Sequence, residues 1–183
     1  MKWLRDEEFI RGKIPMTKFE ARVLILAMLD IEPGDVFVDI GAGTGSIAVQ
    51  AALLGAKVYA LEKEPEGVRL IQENAERFGV HVEIFHGIAP EALEGVPAFN
   101  KCFIGGSGGQ LEAIAEAAHK KLTAGGLLGA SFIVPDNMVE LKNKLKQLEY
   151  QKLELRLLQS AVMEQAGLMK GQNPIYLMKG KKQ

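Results

Sequence analysis

An apolar run from Val36 to Ile40 contains Asp39 and opens directly into Gly41, Ala42, Gly43, Thr44 and Gly45. A second apolar run, Lys57 to Leu61, ends at Glu62. Gly41 permits a tight turn, and Gly43 and Gly45 let the backbone approach a ligand where a Cβ would clash. The carboxylate of Glu62 can accept hydrogen bonds from both hydroxyls of a ribose. It follows the first glycine at about the spacing of the ribose-binding acid in a nucleotide-binding βαβ unit. Residues 36 to 62 therefore read as a cradle for a nucleoside.

The elements that must position this cradle follow from periodicity. A helix is expected over Lys18 to Leu29, with Phe19, Val23, Leu26 and Ala27 on one face. Pro33 and Gly34 break the chain before strand one, and the helix from Ser46 to Leu54 follows the glycines. Pro65 to Phe78 reads as the next helix, with Pro65 in its first turn and Gly79 as its C-terminal cap. Strands are expected at Val82 to Phe85, Lys101 to Ile104 and Leu127 to Val134. Helices are expected over Gln110 to Leu122 and from Pro135, the latter with a stripe of Met138, Leu141, Leu145 and Leu148. Two further strands, Lys152 to Ala161 and Ile175 to Met178, flank a loop from Val162 to Pro174, with one of them antiparallel at the sheet edge. The alternation predicts an α/β fold: a Rossmann-like, doubly wound, mostly parallel sheet closed by a C-terminal antiparallel hairpin. Residues 1–183 read as one domain, with 1–16 as an N-terminal arm.

Composition excludes several classes. The chain has 183 residues and a formal net charge of −1, so no global cationic field draws in nucleic acid. Cys102 is the single cysteine, which rules out an intrachain disulfide and a cysteine-rich zinc site, and no metal site is expected. It reads as a small core residue. No apolar segment is long enough for a bilayer span, and the N-terminus lacks the apolar core of a signal peptide. A cytoplasmic enzyme fits these features.

The glycines form G-x-G-x-G rather than the G-x-G-x-x-G of dinucleotide-binding folds. With Asp39 before them and Glu62 ending the next strand, they resemble motif one of the class I S-adenosylmethionine-dependent methyltransferases. Further stretches resemble one small branch of that family: Ile14 to Arg22, Gly87 to Leu93, Ile104 to Gly109, and Asn173 to Ile175. That branch is the decarboxylating precorrin (cobalt-precorrin) methyltransferases of cobalamin biosynthesis, which methylate carbon 15 of the corrin precursor and remove an acetate carboxyl. The glycine-rich Gly105, Gly106, Ser107, Gly108 and Gly109 are the most specific part of the match.

The resemblance implies S-adenosyl-L-methionine as cofactor, held by Thr17, Gly41, Ala42, Gly43, Thr44, Gly45, Glu62 and Ala89. Thr17 could equally cap the helix that follows it. Members of the branch often carry Asp where this chain has Ile88, which cannot accept the adenine amino hydrogens. The resemblance also implies a tetrapyrrole substrate and a homotetramer, with a separate carbon-5 methyltransferase as a conceivable partner. Gly105 to Gly109 are expected to contact the substrate, and Lys18 and Arg22, one helical turn apart, to meet its carboxylates. Methyl transfer needs alignment and water exclusion more than a protein nucleophile. Loss of carbon dioxide calls for a proton donor, for which His86, Glu91 and Glu164 are the candidates. The loop from Met163 to Asn173 is expected to serve as a lid or a subunit interface. The alternatives are an RNA methyltransferase of the same fold, a nicotinamide-dependent oxidoreductase, and a non-catalytic nucleoside-binding module.

Overall fold

The computed structural model describes residues 2–163 and 167–183. Its regular elements are α1 (Phe19–Met28), β1 (Val36–Ile40), α2 (Ser46–Leu53), β2 (Lys57–Glu62), α3 (Pro65–Arg77), β3 (Val82–His86), β4 (Phe99–Ile104), α4 (Leu111–Lys121), β5 (Leu122–Phe132), α5 (Pro135–Gln147), β6 (Gln151–Leu158), β7 (Ala161–Met163), β8 (Met169–Gly171) and β9 (Ile175–Lys181). One sheet has seven strands in the order β3-β2-β1-β4-β5-β9-β6. The five strands from β3 to β5 are parallel, and β9 runs antiparallel to both of its neighbours. The order reverses between β1 and β4, the place where open α/β sheets bind their ligands.

Strand alternation divides the core in two. Phe37, Val58, Ala60 and Phe103 face one side, where they pack with Ile25, Leu26, Ile47 and Ile71 of α1, α2 and α3. Val38, Ile40, Tyr59, Leu61, Cys102 and Ile104 face the other, with Leu111, Ile114, Leu141 and Leu145 of α4 and α5. Because both faces are covered, the central strands read as continuous apolar runs. Burial pushes the Cys102 thiol up, so it stays protonated and acts as a core residue.

Three features differ from expectation. β5 starts five residues early, at Leu122, with an irregularity against β4 between Phe99 and Lys101, where Gly125 and Gly126 pair with the C-terminal segment: the Gly125 N–H bonds Lys182 O at 3.1 Å and the Lys182 N–H bonds Gly126 O at 2.9 Å. The antiparallel strand is not the edge strand. β9 buries Leu177 and Met178 and takes the interior place, leaving the mostly exposed β6 at the edge. Finally, part of the expected loop is ordered as a two-stranded ribbon, β7 with β8, in which Val162 pairs with Lys170.

The N-terminal arm is tied down by buried polar side chains. Gln50 accepts the Leu4 N–H at 2.9 Å. Asn74 accepts the Ile10 N–H at 2.7 Å, donates to Ile10 O at 3.0 Å and donates to Thr44 O at 3.0 Å. One fully buried amide thus joins the arm, α3 and the turn after β1.

Candidate functional site

At the carboxyl end of the sheet two glycine segments meet backbone to backbone. The Gly105 N–H bonds Ile40 O at 2.8 Å, and Gly41 and Ala42 both donate to Leu61 O. Gly41 has φ +73°, and a Cβ there would lie 2.8 Å from the nitrogen and oxygen of Gly106. Real Cβ atoms do not approach backbone that closely, so glycine is required on two counts. Above this crossing opens a cavity of about 880 Å³. Its walls come from Gly41, Ala42 and Gly43, from Gly105, Gly106 and Ser107, from the start of α1, from the end of β5, and from the β8 side of the ribbon.

Glu62, at the end of β2, is not itself among the cavity-lining residues but bonds to Gly43, which is. It is 6% exposed, and each carboxylate oxygen accepts one backbone N–H, from Gly43 at 2.7 Å and from Glu64 at 2.9 Å. A Cβ on Gly67 of α3 would sit 2.5 Å from Glu62 Cγ, so that glycine makes the room the carboxylate occupies. Each oxygen keeps a further lone pair. The side chain is oriented in advance and still has acceptor capacity.

Asp39 does different work. It is fully buried under the turn, and its Oδ2 accepts the Ala48 N–H at 3.1 Å, which fixes the first turn of α2. Burial pushes its carboxyl up to about 7 from an ordinary 3.8; the Ala48 bond opposes that rise and the charge of Glu62 adds to it. An acid whose folded-state value is raised binds its proton more tightly when folded, so its stabilising effect is complete below pH 3.8 and is lost as pH climbs through about 7. Asp39→Asn is expected to remove this slope. The difference in unfolding free energy between variant and parent should change by at most about 4 kcal/mol between pH 4 and 8, read from urea melts across that range. A difference that stays flat with pH would show that Asp39 does not titrate there.

The structure sorts the other candidates. Thr17 and Lys18 line the cavity. Lys18 occupies the N-cap position of α1 with no side-chain capping bond, so the Thr17 hydroxyl is not used as a cap. Arg22 is not a cation at the cavity mouth. It is fully buried, donating to Thr17 O at 2.9 Å, Leu4 O at 2.7 Å and Asp6 Oδ1 at 3.2 Å, with its guanidinium over the Phe9 ring. It pins the arm to α1, because a buried guanidinium is held by bonds the protein itself supplies.

Gly45 is not among the cavity-lining residues either: a Cβ there would meet Ile71 of α3 at 3.0 Å, so this glycine serves helix packing. Thr44 is buried, behind the turn. Gly108 and Gly109 are exposed and lie beyond the cavity lining. Ala89 is half-buried beside the core under β3 and Ile88 is 55% exposed, both outside the cavity. His86 and Glu91 are exposed and also outside it, His86 with Nε2 3.1 Å from Lys63 O. Glu164 lies outside the described residues.

Sequence reasoning missed Asn74, Gly67 and Glu20. A readable signal existed for Asn74, since it interrupts the apolar stripe of α3 three residues after Ile71. Glu20, one of the cavity-lining residues, gave none beyond its place in the first turn of a helix.

Comparison with known proteins adds what geometry lacks. A family model described as the precorrin methyltransferase domain matches residues 8–178. The chain belongs to this family. It is 37% identical over 185 residues to the probable cobalt-precorrin-6B C(15)-methyltransferase (decarboxylating) of Sulfolobus acidocaldarius, covering 97% of this chain and 96% of that one. Among solved structures, precorrin-6y C5,15-methyltransferase from Geobacter metallireducens superposes with a TM-score of 0.93 at 29% identity, covering 99% and 97% of the two chains. The precorrin 8W decarboxylase of Methanobacterium thermoautotrophicum superposes at 0.91 with 31% identity over 97% and 98%. Membership of the precorrin methyltransferase family fits the class I methyltransferase sheet described above.

Proposed function

We propose that this chain binds S-adenosyl-L-methionine and uses it to methylate carbon 15 of a corrin precursor, precorrin or cobalt-precorrin, with loss of an acetate carboxyl. The observation that carries the reading is a cavity of about 880 Å³ continuous with the Gly41 to Gly43 turn, in a chain that matches the precorrin methyltransferase domain over residues 8–178. That volume is in the upper part of the usual range for small-molecule sites, about 300–1,000 Å³, as a large planar ligand requires.

The residues fit the cofactor. Gly41 and Gly43 offer main chain to the cavity, where a Cβ on Gly41 would strike Gly106 and one on Gly43 would press on Pro15 O at 3.2 Å, and Glu62 is oriented with lone pairs to spare for ribose. When bound, the cofactor supplies an electrophilic methyl group on sulfur. In this reading the Thr17 hydroxyl meets its methionine end, Glu62 takes the ribose hydroxyls, and Ala89 lies beside adenine with exposed Ile88 as an apolar shelf. Thr44 and Gly45 shape the turn from behind. Gly105, Gly106 and Ser107 leave space for the ring system, and Lys18 meets one of its carboxylates. The walls hold the reacting carbon in line with the methyl and exclude water. Assembly as a homotetramer belongs to the same proposal, supported by the exposed apolar Leu155, Leu157, Met163, Leu168 and Met169 on β6 and around the ribbon, as does a cytoplasmic setting. An RNA methyltransferase is disfavoured by the family match and by the net charge of −1.

Calorimetry with S-adenosylmethionine, S-adenosylhomocysteine and NAD tests the cofactor, and weighing the products of incubation with tetrapyrrole intermediates and labelled donor tests the substrate. Binding of the first two, and a tetrapyrrole heavier by the labelled methyl and lighter by carbon dioxide, is expected. Binding of NAD alone, or methyl transfer to RNA and not to any tetrapyrrole, would overturn the reading.

A further inference from the structure

A decarboxylation leaves one requirement without a residue. When a substrate acetate loses carbon dioxide, the C–C bonding pair flows into the conjugated ring, and the methylene left behind becomes a methyl group by taking up one proton. A positioned general acid is the usual source. His86 and Glu91 lie outside the cavity. Among the described residues that line it, Glu20 alone carries a carboxyl group. We propose that Glu20 is the general acid that delivers this proton, an inference that rests on the function proposed above.

Its mounting is the first support. Glu20 lies in the first turn of α1, two residues from Lys18 and two from Arg22, whose buried guanidinium ties that turn to Leu4 and Thr17. The side chain therefore projects from a fixed base, as a group that must meet one substrate atom requires. Its partners are the second. Asp6, the acid paired with the neighbouring Lys18 and Arg22, is engaged. The half-buried Glu20 makes no hydrogen bond or close ion pair among the described residues, and its charge is felt by Arg22 one half-turn on. A helix dipole favours an acid anywhere on the first turn, and that preference does not account for its place in the cavity wall.

Chemistry is the third. The other polar side chains of the wall include the hydroxyls of Thr17, Ser107, Ser131 and Ser160, the amides of Asn137 and Asn173, and Lys18 and Lys170. Hydroxyls and amides are poor acids near neutral pH, and ammonium groups suit the holding of carboxylates. Glu20 is therefore the proton donor that the described wall residues leave.

The step balances. The ring carbon's electron pair forms the new C–CH₃ bond, the S–C pair stays on sulfur, and the ring releases one proton to solvent, whose bonding pair restores the conjugation. Separately, the carboxyl carbon departs as carbon dioxide, its bonding pair returns from the ring to form the new C–H bond, and the Glu20 O–H bond breaks to leave a carboxylate that solvent reprotonates. No oxidant or reductant is needed.

The test reads carbon dioxide released per methyl transferred, by mass, for the full chain with tetrapyrrole substrate and labelled donor. Glu20→Gln is expected to lower this ratio roughly 100-fold and to accumulate a methylated product that retains its carboxyl, with Glu20→Asp recovering part of the ratio. A native ratio in both variants would overturn the assignment. So would methyl transfer and carbon dioxide release falling in step while S-adenosylhomocysteine still binds; Glu20→Ser takes the place of any variant that fails to fold. If the parent chain methylates no tetrapyrrole, the functional reading itself falls, which is a distinguishable result.

Discussion

Gly41→Ala is expected to weaken binding of the methyl donor by at least about 100-fold, close to 3 kcal/mol, in a chain that still folds. The backbone at this position has φ +73°, where an L side chain costs about 1–2 kcal/mol. The new Cβ would also sit 2.8 Å from the backbone of Gly106. Neither segment can yield cheaply, because Gly41 bonds Leu61 O and Gly105 bonds Ile40 O at the ends of central strands. The turn and the Gly105 to Ser107 segment would have to part, and both line the cavity. Titration of the folded variant with S-adenosylhomocysteine reads the loss, and a melt should show a midpoint lower by several degrees, at about 2–4 °C per kcal/mol for a chain of this size. Near-native affinity would mean that the crossing of these two segments does not shape the donor site.

The second large effect concerns Glu62, where Glu62→Gln should be nearly as damaging as Glu62→Ala. The carboxylate accepts the Gly43 and Glu64 N–H groups, one on each oxygen. Alanine leaves both donors in a buried place without a partner, at about 1–3 kcal/mol each. Glutamine has one acceptor oxygen and turns an NH₂ toward the second N–H, so one bond becomes a repulsion. Either change also removes an acceptor that the proposed function assigns to the ribose hydroxyls. We expect donor affinity to drop about 100-fold or more in both variants, with lowered melting points. If glutamine instead keeps native affinity while alanine loses it, bulk rather than charge and lone pairs is what the site needs.

Together the two variants bear on how the site is built. Gly41, Glu62 and Gly67 belong to three different elements and meet only through the fold: a turn glycine that must touch another backbone, a strand-end acid that holds the turn, and a helix glycine that clears space for the acid. Asp39 and Asn74 stiffen the same turn from below and behind, through Ala48 and Thr44. Ile88, after the turn that follows β3, differs in kind, being an exposed apolar side chain. An apolar surface there contributes area instead of a directed bond.

Much of this was legible in the chain alone, for physical reasons. Strand and helix periods are local properties, so the order of elements and the glycine turn followed from residue spacing. Lys18, Thr17 and Gly105 to Ser107 line one cavity because their neighbours in sequence are also their neighbours at the sheet's carboxyl end. Arg22 was misplaced because its helical spacing from Lys18 says nothing about the arm that folds back over it and supplies Leu4 O and Asp6. Gly45 was misread for a similar reason: what its missing side chain makes room for is Ile71, on another helix.

What the sequence determined by itself is the set of parts: a parallel α/β sheet, a turn without side chains after β1, and an acid at the end of β2. Those follow from interactions between residues close along the chain. Tertiary structure alone decided which groups share the cavity, setting Glu20 in its wall, burying Arg22, leaving His86 and Glu91 outside, and inserting β9 between β5 and β6. Each of those outcomes depends on contacts between residues far apart in the chain, where burial and hydrogen-bond satisfaction over the whole fold select the partner and local propensity does not.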